Sequence, residues 1–204
     1  MKTEQLGPYR LSWPEEVFPL GGDALALGAF AGVRSGWRVC DLGTGSGALL
    51  LLLARRAENL SLTGVDIDPL AARTARENLA SNGLDGEILT GDLRTSPLPA
   101  GGFDLVVSNP PYFPVGSGKS GGPARSETFC TLDELCTAAG RLVKNGGRFA
   151  LCHRPERLVD VVCSLRAHGL EPKRLQLISH ASGHPPSLLL VEAVRQGKPG
   201  LTIE

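Results

Sequence analysis

Apolar residues fall along this chain in short blocks, punctuated by glycine, proline and charged residues. "WRVCDLG", "LSLTGVDID", "GEILTGD", "FDLVVSN", "RFALCH", "PKRLQLISH" and "SLLLVEAVR" are brief aliphatic runs bounded by turn residues, and they read as strands. Between and before them lie stretches with helical spacing: "GDALALGAFAGV", "SGALLLLLARRAE", "DPLAARTARENLASNG", "TLDELCTAAGRLVKNGG" and "RPERLVDVVCSLRAHGL". Asp23 is the expected cap of the first helix. Asp68 reads as a cap or first-turn acid of the third, with Pro69 in its first turn and a stop at Asn82-Gly83. The fourth should end on the pair Gly146-Gly147, and Pro155 suits the first turn of the last. From Trp37 onward strand and helix alternate, which predicts an α/β fold with a mostly parallel sheet and helices on both faces. Ligands of such sheets sit outside the carboxyl ends of the strands, near the reversal of strand order.

A chain of 204 residues is expected to form one domain over residues 1–204, with residues 1–35 as a lead-in and capping helix. The formal net charge is zero, so there is no strong electrostatic footprint for a polyanion. From Phe103 onward there are 12 Lys/Arg against 9 Asp/Glu, and before it 9 against 12, which leaves room for local basic patches only. The cysteines (Cys40, Cys130, Cys136, Cys152, Cys163) are odd in number and without CxxC spacing. They read as reduced, mostly buried thiols of a cytoplasmic protein. His153, His168, His180 and His184 show no ligand spacing, so no metal is expected. No run is long enough to span a bilayer, the amino terminus has no apolar signal core, and the chain is taken as a monomer without a membrane partner.

The turn "DLGTGSG", Asp41 to Gly47, joins the first strand of the alternating series to a helix. Glycines at 43, 45 and 47 permit a tight turn and close approach to a ligand. Alone this is a weak signal. Two further strands end in acids, Asp66 and Asp92, placed to accept from ribose hydroxyls and from an adenine amino group. A dinucleotide fingerprint would need G-x-G-x-x-G, whereas this run is G-x-G-x-G. The pattern resembles the S-adenosylmethionine-dependent methyltransferases of the Rossmann-like class. That resemblance implies a doubly wound, mostly parallel, seven-stranded sheet with its last strand antiparallel. It also implies S-adenosyl-L-methionine as cofactor, held by Asp41, Gly43, Thr44, Gly45, Gly47, Asp66, Ile67, Asp92 and Leu93.

"NPPYFPVGSGKSGG" follows the fourth strand of the series and offers two readings. A phosphate-binding loop ending in Gly118-Lys119-Ser120 needs glycine at position 113, which is Phe113, and no helical pattern follows Ser120. The other half fits amine methylation. The nitrogen of a conjugated amine has a delocalised lone pair and is a poor nucleophile. Two acceptors on its hydrogens, the Asn109 side-chain carbonyl and the Pro110 main-chain carbonyl, would turn that lone pair toward an electrophile. Pro110 and Pro111 stiffen the turn, and Tyr112 offers a face for stacking a planar group. Lys119, Arg125, Arg154 and Arg157 are candidate phosphate contacts.

Asn109 to Tyr112 resemble the [DNS]-P-P-[YFW] motif of enzymes that methylate exocyclic amino groups: adenine N6, guanine N2 or a glutamine amide. Taken with "FPLGGDALALGAFA", "FDLVVSNPPYFPVGSG", "CHRPERL", "LRAHGLEPKRL" and "GKPGL", nearly the whole chain resembles the bacterial tRNA(Val) adenine-37-N6 methyltransferase family. The resemblance implies a cytoplasmic enzyme with a tRNA substrate, target-amine residues at Asn109, Pro110 and Tyr112, and a Gly21–Asp23 stretch closing over the methionine end of the cofactor. A release-factor glutamine methyltransferase, a guanine-N2 or DNA-adenine methyltransferase and a non-catalytic binding module stand as alternatives. Only about 35 residues precede the first strand of the series, too few for the extra helical domain of the release-factor enzymes.

Overall fold

The computed structural model describes residues 1–110, 130–179, 181 and 183–204. The chain opens with β1 (Lys2–Leu6), β2 (Tyr9–Trp13) and α1 (Gly22–Phe30). It continues through β3 (Arg38–Leu42), α2 (Ala48–Ala54), β4 (Ser61–Asp66), α3 (Pro69–Ser81), β5 (Gly86–Thr90) and β6 (Phe103–Ser108). Then come α4 (Leu132–Leu142), β7 (Val143–His153), a short 3-10 turn (Pro155–Arg157), α5 (Leu158–Ala167), β8 (Leu170–Ile178), β9 (Leu188–Arg195) and β10 (Thr202–Ile203).

The main sheet has the order β10-β8-β9-β7-β6-β3-β4-β5. β5, β4, β3, β6 and β7 run parallel, and β9 is antiparallel to both β7 and β8. This is the expected α/β sheet, its last full strand reversed. An eighth, two-residue strand extends it: β10 pairs parallel with β8, and the Arg174 guanidinium donates to the Glu204 carboxylate beside it. Two residues carry no periodicity, which is why the pattern of the chain did not reveal β10. The winding runs β3 to β4 to β5, then returns to the other side of β3 with β6. The crevice between the ends of β3 and β6 is therefore the place where an α/β sheet takes a ligand.

Alternate strand residues face two cores. Val39, Leu105, Val107 and Leu190 pack with Leu27, Leu50, Leu53 and Leu79 of α1, α2 and α3. Cys40, Val106, Phe149 and Val191 pack with Leu135, Leu142 and Leu165 of α4 and α5. α2 is apolar all round and every residue from Ala48 to Leu53 is buried, as expected for a helix enclosed by sheet, α1 and the hairpin.

Three local expectations need correction. Gly21, not Asp23, is the N-cap of α1. It makes no side-chain cap bond, and Asp23 lies inside the first turn, where a carboxylate still favours the helix dipole. α4 stops at Leu142 rather than at Gly146-Gly147. Buried Val143 turns extended and pairs with Phe103, the next pairing is Leu105 with Arg148, and the glycines sit in that irregularity with Gly146 at φ +75°. Residues 1–13 form a hairpin rather than a plain lead-in. Gly7-Pro8 joins its strands with Gly7 at φ +67°, the glycine-first turn that suits strand twist. All five cysteines are free, and Cys163 is exposed. Asp68 caps α3 by accepting from the Leu70 N–H at 2.9 Å, and Asn82 and Gly83 end that helix as expected.

Candidate active site

The turn after β3 is held by main-chain bonds from several directions. The Gly43 and Thr44 N–H groups donate to the Val65 carbonyl at 2.9 and 3.0 Å. The Gly45 N–H donates to Asp66 Oδ2 at 2.7 Å, and the Gly47 N–H donates to the Thr44 carbonyl at 2.9 Å. Gly43, Gly45 and Gly47 have φ of +75°, +55° and +81°, a region that L side chains resist. A Cβ on Gly43 or Gly45 would meet open space, so there the conformation alone demands glycine, whereas one on Gly47 would lie 3.2 Å from the Ala75 side chain of α3. Thr44 is buried and its hydroxyl donates to Asp41 Oδ2 at 2.9 Å. Asp41 is itself buried, and its Oδ1 accepts from no group among the described residues. Burial pushes its carboxyl up to about 7 despite the Thr44 bond. A buried carboxylate oxygen without a donor is costly, so this atom suits a ligand that brings a donor or a positive charge.

Asp66, at the end of β4, accepts from Gly45 and from the Asp68 N–H at 2.9 Å, and burial raises its pKa above the ordinary value. Ile67 beside it is exposed. Leu93, beyond β5, packs against the second core. Asp92 lies on the same rim, but it is engaged by a residue that the sequence reading passed over. The Arg94 main-chain N–H and Nε donate to Oδ1, and Nε and Nη2 donate to Oδ2, at 2.5 to 2.9 Å. Nη1 reaches Glu134 Oε1 at 2.9 Å. These bonds hold the Asp92 carboxyl below the usual carboxylate range. Three Arg94 hydrogens, one of them shared between the two oxygens, thus take up most of the roughly four acceptor positions a carboxylate has.

The Ser108 hydroxyl at the end of β6 donates to the Leu42 carbonyl at 2.7 Å and fastens this strand end to that of β3. Asp41 pairs with Val107, so Asn109 stands two residues beyond that pairing, above the same crevice. Cys152 of β7, fully buried, donates its thiol to Asn109 Oδ1 at 3.0 Å. Asn109 and Pro110 are half-buried. Pro111, Tyr112, Lys119 and Arg125, and with them the GSGKS segment, lie outside the described residues. His153 is buried and its Nδ1 accepts from the Arg154 N–H at 2.8 Å, which leaves the ring proton on Nε2. Burial, then the charge of Arg157, pushes it down to about 4, so it is neutral at neutral pH. Arg154 pairs with Glu156 at 3.5 Å and Arg157 with Asp160 at 2.5 Å.

The structure thus gathers Asp41, the glycine turn, Asp66, Asp92 and Asn109 on the carboxyl rim of four adjacent strands. Arg154 and Arg157 follow β7 at the same rim. Ser108, Cys152 and Arg94 were missed. Ser108 had a readable signal, a polar residue closing an apolar strand beside Asn109. Cys152 and Arg94 act across strands or on a neighbour in a loop, which linear spacing does not encode.

The family described as methyltransferase small domain matches residues 22–158. The chain is 33% identical to a tRNA1(Val) (adenine(37)-N6)-methyltransferase of Porphyromonas gingivalis, over 85% of this chain and 73% of the relative. It is 32% identical to one of Tolumonas auensis, over 91% and 79%. Among solved structures it is similar to a predicted O-methyltransferase of Agrobacterium tumefaciens, with a TM-score of 0.74 at 23% identity, covering 89% of this chain and 85% of that one. A SAM-dependent methyltransferase of Aquifex aeolicus gives 0.65 at 18%, covering 85% and 89%. The solved structures agree with the observed fold. The chain belongs to the methyltransferase small domain family, alongside relatives named tRNA1(Val) (adenine(37)-N6)-methyltransferase.

Proposed function

We propose that the protein transfers a methyl group from S-adenosyl-L-methionine to the N6 amine of an adenine in tRNA, at position 37 of a valine tRNA as in its named relatives. The observation that carries this reading is that an orphaned buried carboxylate oxygen on Asp41 and the Asn109 side chain stand at the neighbouring strand ends of one crevice. Asp41, Asp66 and the turn Gly43–Gly47, with Thr44, would hold the cofactor, with Ile67, Asp92 and Leu93 at its adenine side. The fit is chemical: Asp41 Oδ1 has no donor among the described residues, and the turn leaves open space before Gly43 and Gly45. Asp92 would join in competition with Arg94, which takes up most of its acceptor positions.

Bound S-adenosyl-L-methionine supplies an already electrophilic methyl on a sulfonium. With it bound, the carbon–sulfur bond would break as the carbon–nitrogen bond formed, and the amine would then shed a proton to water. No side chain of matched pKa is needed, so positioning must supply most of the rate. Asn109 Oδ1 and the Pro110 carbonyl would accept the two amine hydrogens and aim the lone pair. Cys152 on Oδ1 and Ser108 on Leu42 stiffen that corner. Tyr112 would stack the base. Arg154 and Arg157 would exchange their carboxylate partners for phosphates, with Lys119 and Arg125 from the adjoining loop. An anticodon-loop adenine is accessible to such a site without opening a duplex.

The test is incubation with tritiated-methyl S-adenosylmethionine and unmodified bulk tRNA, followed by digestion to nucleosides. Label should appear as N6-methyladenosine. Asn109→Ala should lower turnover by about 10²-fold or more with cofactor affinity near normal. Label confined to guanosine, DNA or protein would reject the tRNA adenine assignment.

A further inference from the structure

The side chains of Asn78 and Asn82 sit one helical turn apart on α3 and face β2. Each treats β2 as a neighbouring strand would. Asn82 Oδ1 accepts from the Arg10 N–H at 2.8 Å, and its Nδ2 donates to the Arg10 carbonyl at 2.8 Å. Asn78 Oδ1 accepts from the Ser12 N–H at 2.9 Å, and its Nδ2 donates to the Ser12 carbonyl at 2.8 Å. The match is geometric. An i, i+4 step on a helix advances about 6 Å, and an i, i+2 step on a strand about 6.6 Å.

The two amides differ in one respect. The second hydrogen of Asn78 Nδ2 goes to the Ser46 carbonyl at 2.8 Å, inside the glycine turn. Asn82 spends its second bond on the Asn78 carbonyl of its own helix. Asn78 is buried, and its acceptor and both donors are engaged. α3 therefore braces the turn from below at two adjacent points, Ala75 under Gly47 and Asn78 under Ser46. The other bonds of the turn fix Gly43, Thr44, Gly45 and Gly47. Among the described residues, Asn78 is what holds the Ser46 carbonyl.

We infer that Asn78 is a positioning residue for the cofactor turn, coupling the amino-terminal hairpin to cofactor affinity. This rests on the turn being the cofactor site. Asn78 orients the Ser46–Gly47 peptide, and the hairpin fixes Asn78 through both its polar atoms. Loss of the amide leaves the Ser46–Gly47 peptide held on one side only, by the Gly47 N–H bond to the Thr44 carbonyl, and the loosened turn must then be reordered when a ligand binds. Asn82 anchors the same hairpin without touching the turn, which makes it a matched control.

The test measures the affinity of S-adenosylhomocysteine by titration calorimetry on the full chain, well below the melting temperature, for wild type, Asn78→Ala and Asn82→Ala. Both variants should melt lower. Asn78→Ala should bind tenfold or more weakly, and Asn82→Ala within twofold of wild type. Equal affinity in Asn78→Ala and wild type, or equal weakening in both variants, overturns the inference. If wild type itself fails to bind the probe, the cofactor assignment falls and the inference falls with it. Should Asn78→Ala not fold, amide exchange on wild type gives a second reading. By reciprocity of coupling, saturating probe should slow exchange of the Ser12 amide more than that of the Arg10 amide, and unchanged exchange at Ser12 overturns the inference.

Discussion

At the scale of single residues, the most informative atom is Asp41 Oδ1. The folded carboxyl stands near 7 against an ordinary value of about 3.9. Between those values the folded chain keeps a proton that the unfolded chain has released. Asp41 thus adds stability below about pH 4, and that contribution is lost as pH rises toward about 7. A cofactor that places a donor or positive charge on Oδ1 favours the ionised form. Its affinity should therefore fall below about pH 7, by up to about tenfold per unit, and binding near pH 6 should release a proton. Calorimetry of S-adenosylhomocysteine in buffers of different ionisation enthalpy reads both, and Asp41→Asn should flatten the profile. Arg94 gives a second expectation, because its guanidinium fills Asp92 while Glu134 offers it another partner. Arg94→Ala should tighten cofactor binding by roughly two- to fivefold, the scale of an exposed ion pair. Weaker binding in that variant would mean that Arg94 supports the site rather than covering it.

At the scale of elements, Gly47 links the turn to α3. Ala there adds left-handed strain of about 1–2 kcal/mol and brings a methyl against Ala75. Gly36 has nearly the same φ, +78°, but open space around it and no contact with the site. Both Ala variants should lose a few degrees of melting temperature, and only Gly47→Ala should also weaken cofactor binding. The central strands and their helices were legible because each repeats an apolar period over several residues, and because Asp68, Pro69 and Asn82-Gly83 punctuate α3 by local chemistry. The hairpin was harder to see. Lys2 to Gln5 are all exposed, so β1 carries no alternation, although Leu11 and Trp13 alternate in β2 and Gly7-Pro8 marks the turn. The end of α4 was misplaced because "KNGG" resembles a helix stop, while the deciding event is Val143 pairing with Phe103, a contact 40 residues apart in the chain. The site followed the same division. Glycines and acids at strand ends can be read locally, but the Cys152–Asn109, Arg94–Glu134 and Asn78–Ser46 bonds depend on which elements become neighbours.

At the scale of the whole molecule, the candidate site lies on β3 to β5 and β6, and a buried ion network lies three strands across the sheet from β3, on β9. Glu192 of β9 is fully buried. Its carboxylate accepts from Arg148 of β7, from Arg174 of β8 at 3.3 Å and from the Gly32 N–H at 2.6 Å. Arg174 also donates to the Phe30 carbonyl at 3.2 Å, stacks over the Phe30 ring at 4.5 Å and holds Glu204. One carboxylate therefore joins three strands, the exit of α1 and the β10 edge. Glu192→Ala leaves two guanidiniums and a main-chain N–H without their acceptor, a loss of about 3–5 kcal/mol for a broken buried pair. For a chain of this size that lowers the melting temperature by roughly 6–20 °C. Glu192→Gln keeps an acceptor for Gly32 and should fall less. Through Ala150 and Val107 Glu192 lies level with Asp41, but three strands across the sheet from it. Below the melting transition both variants should therefore bind S-adenosylhomocysteine as wild type does. Weakened binding in folded Glu192→Gln would show instead that strain in this network is carried across the sheet to the candidate site.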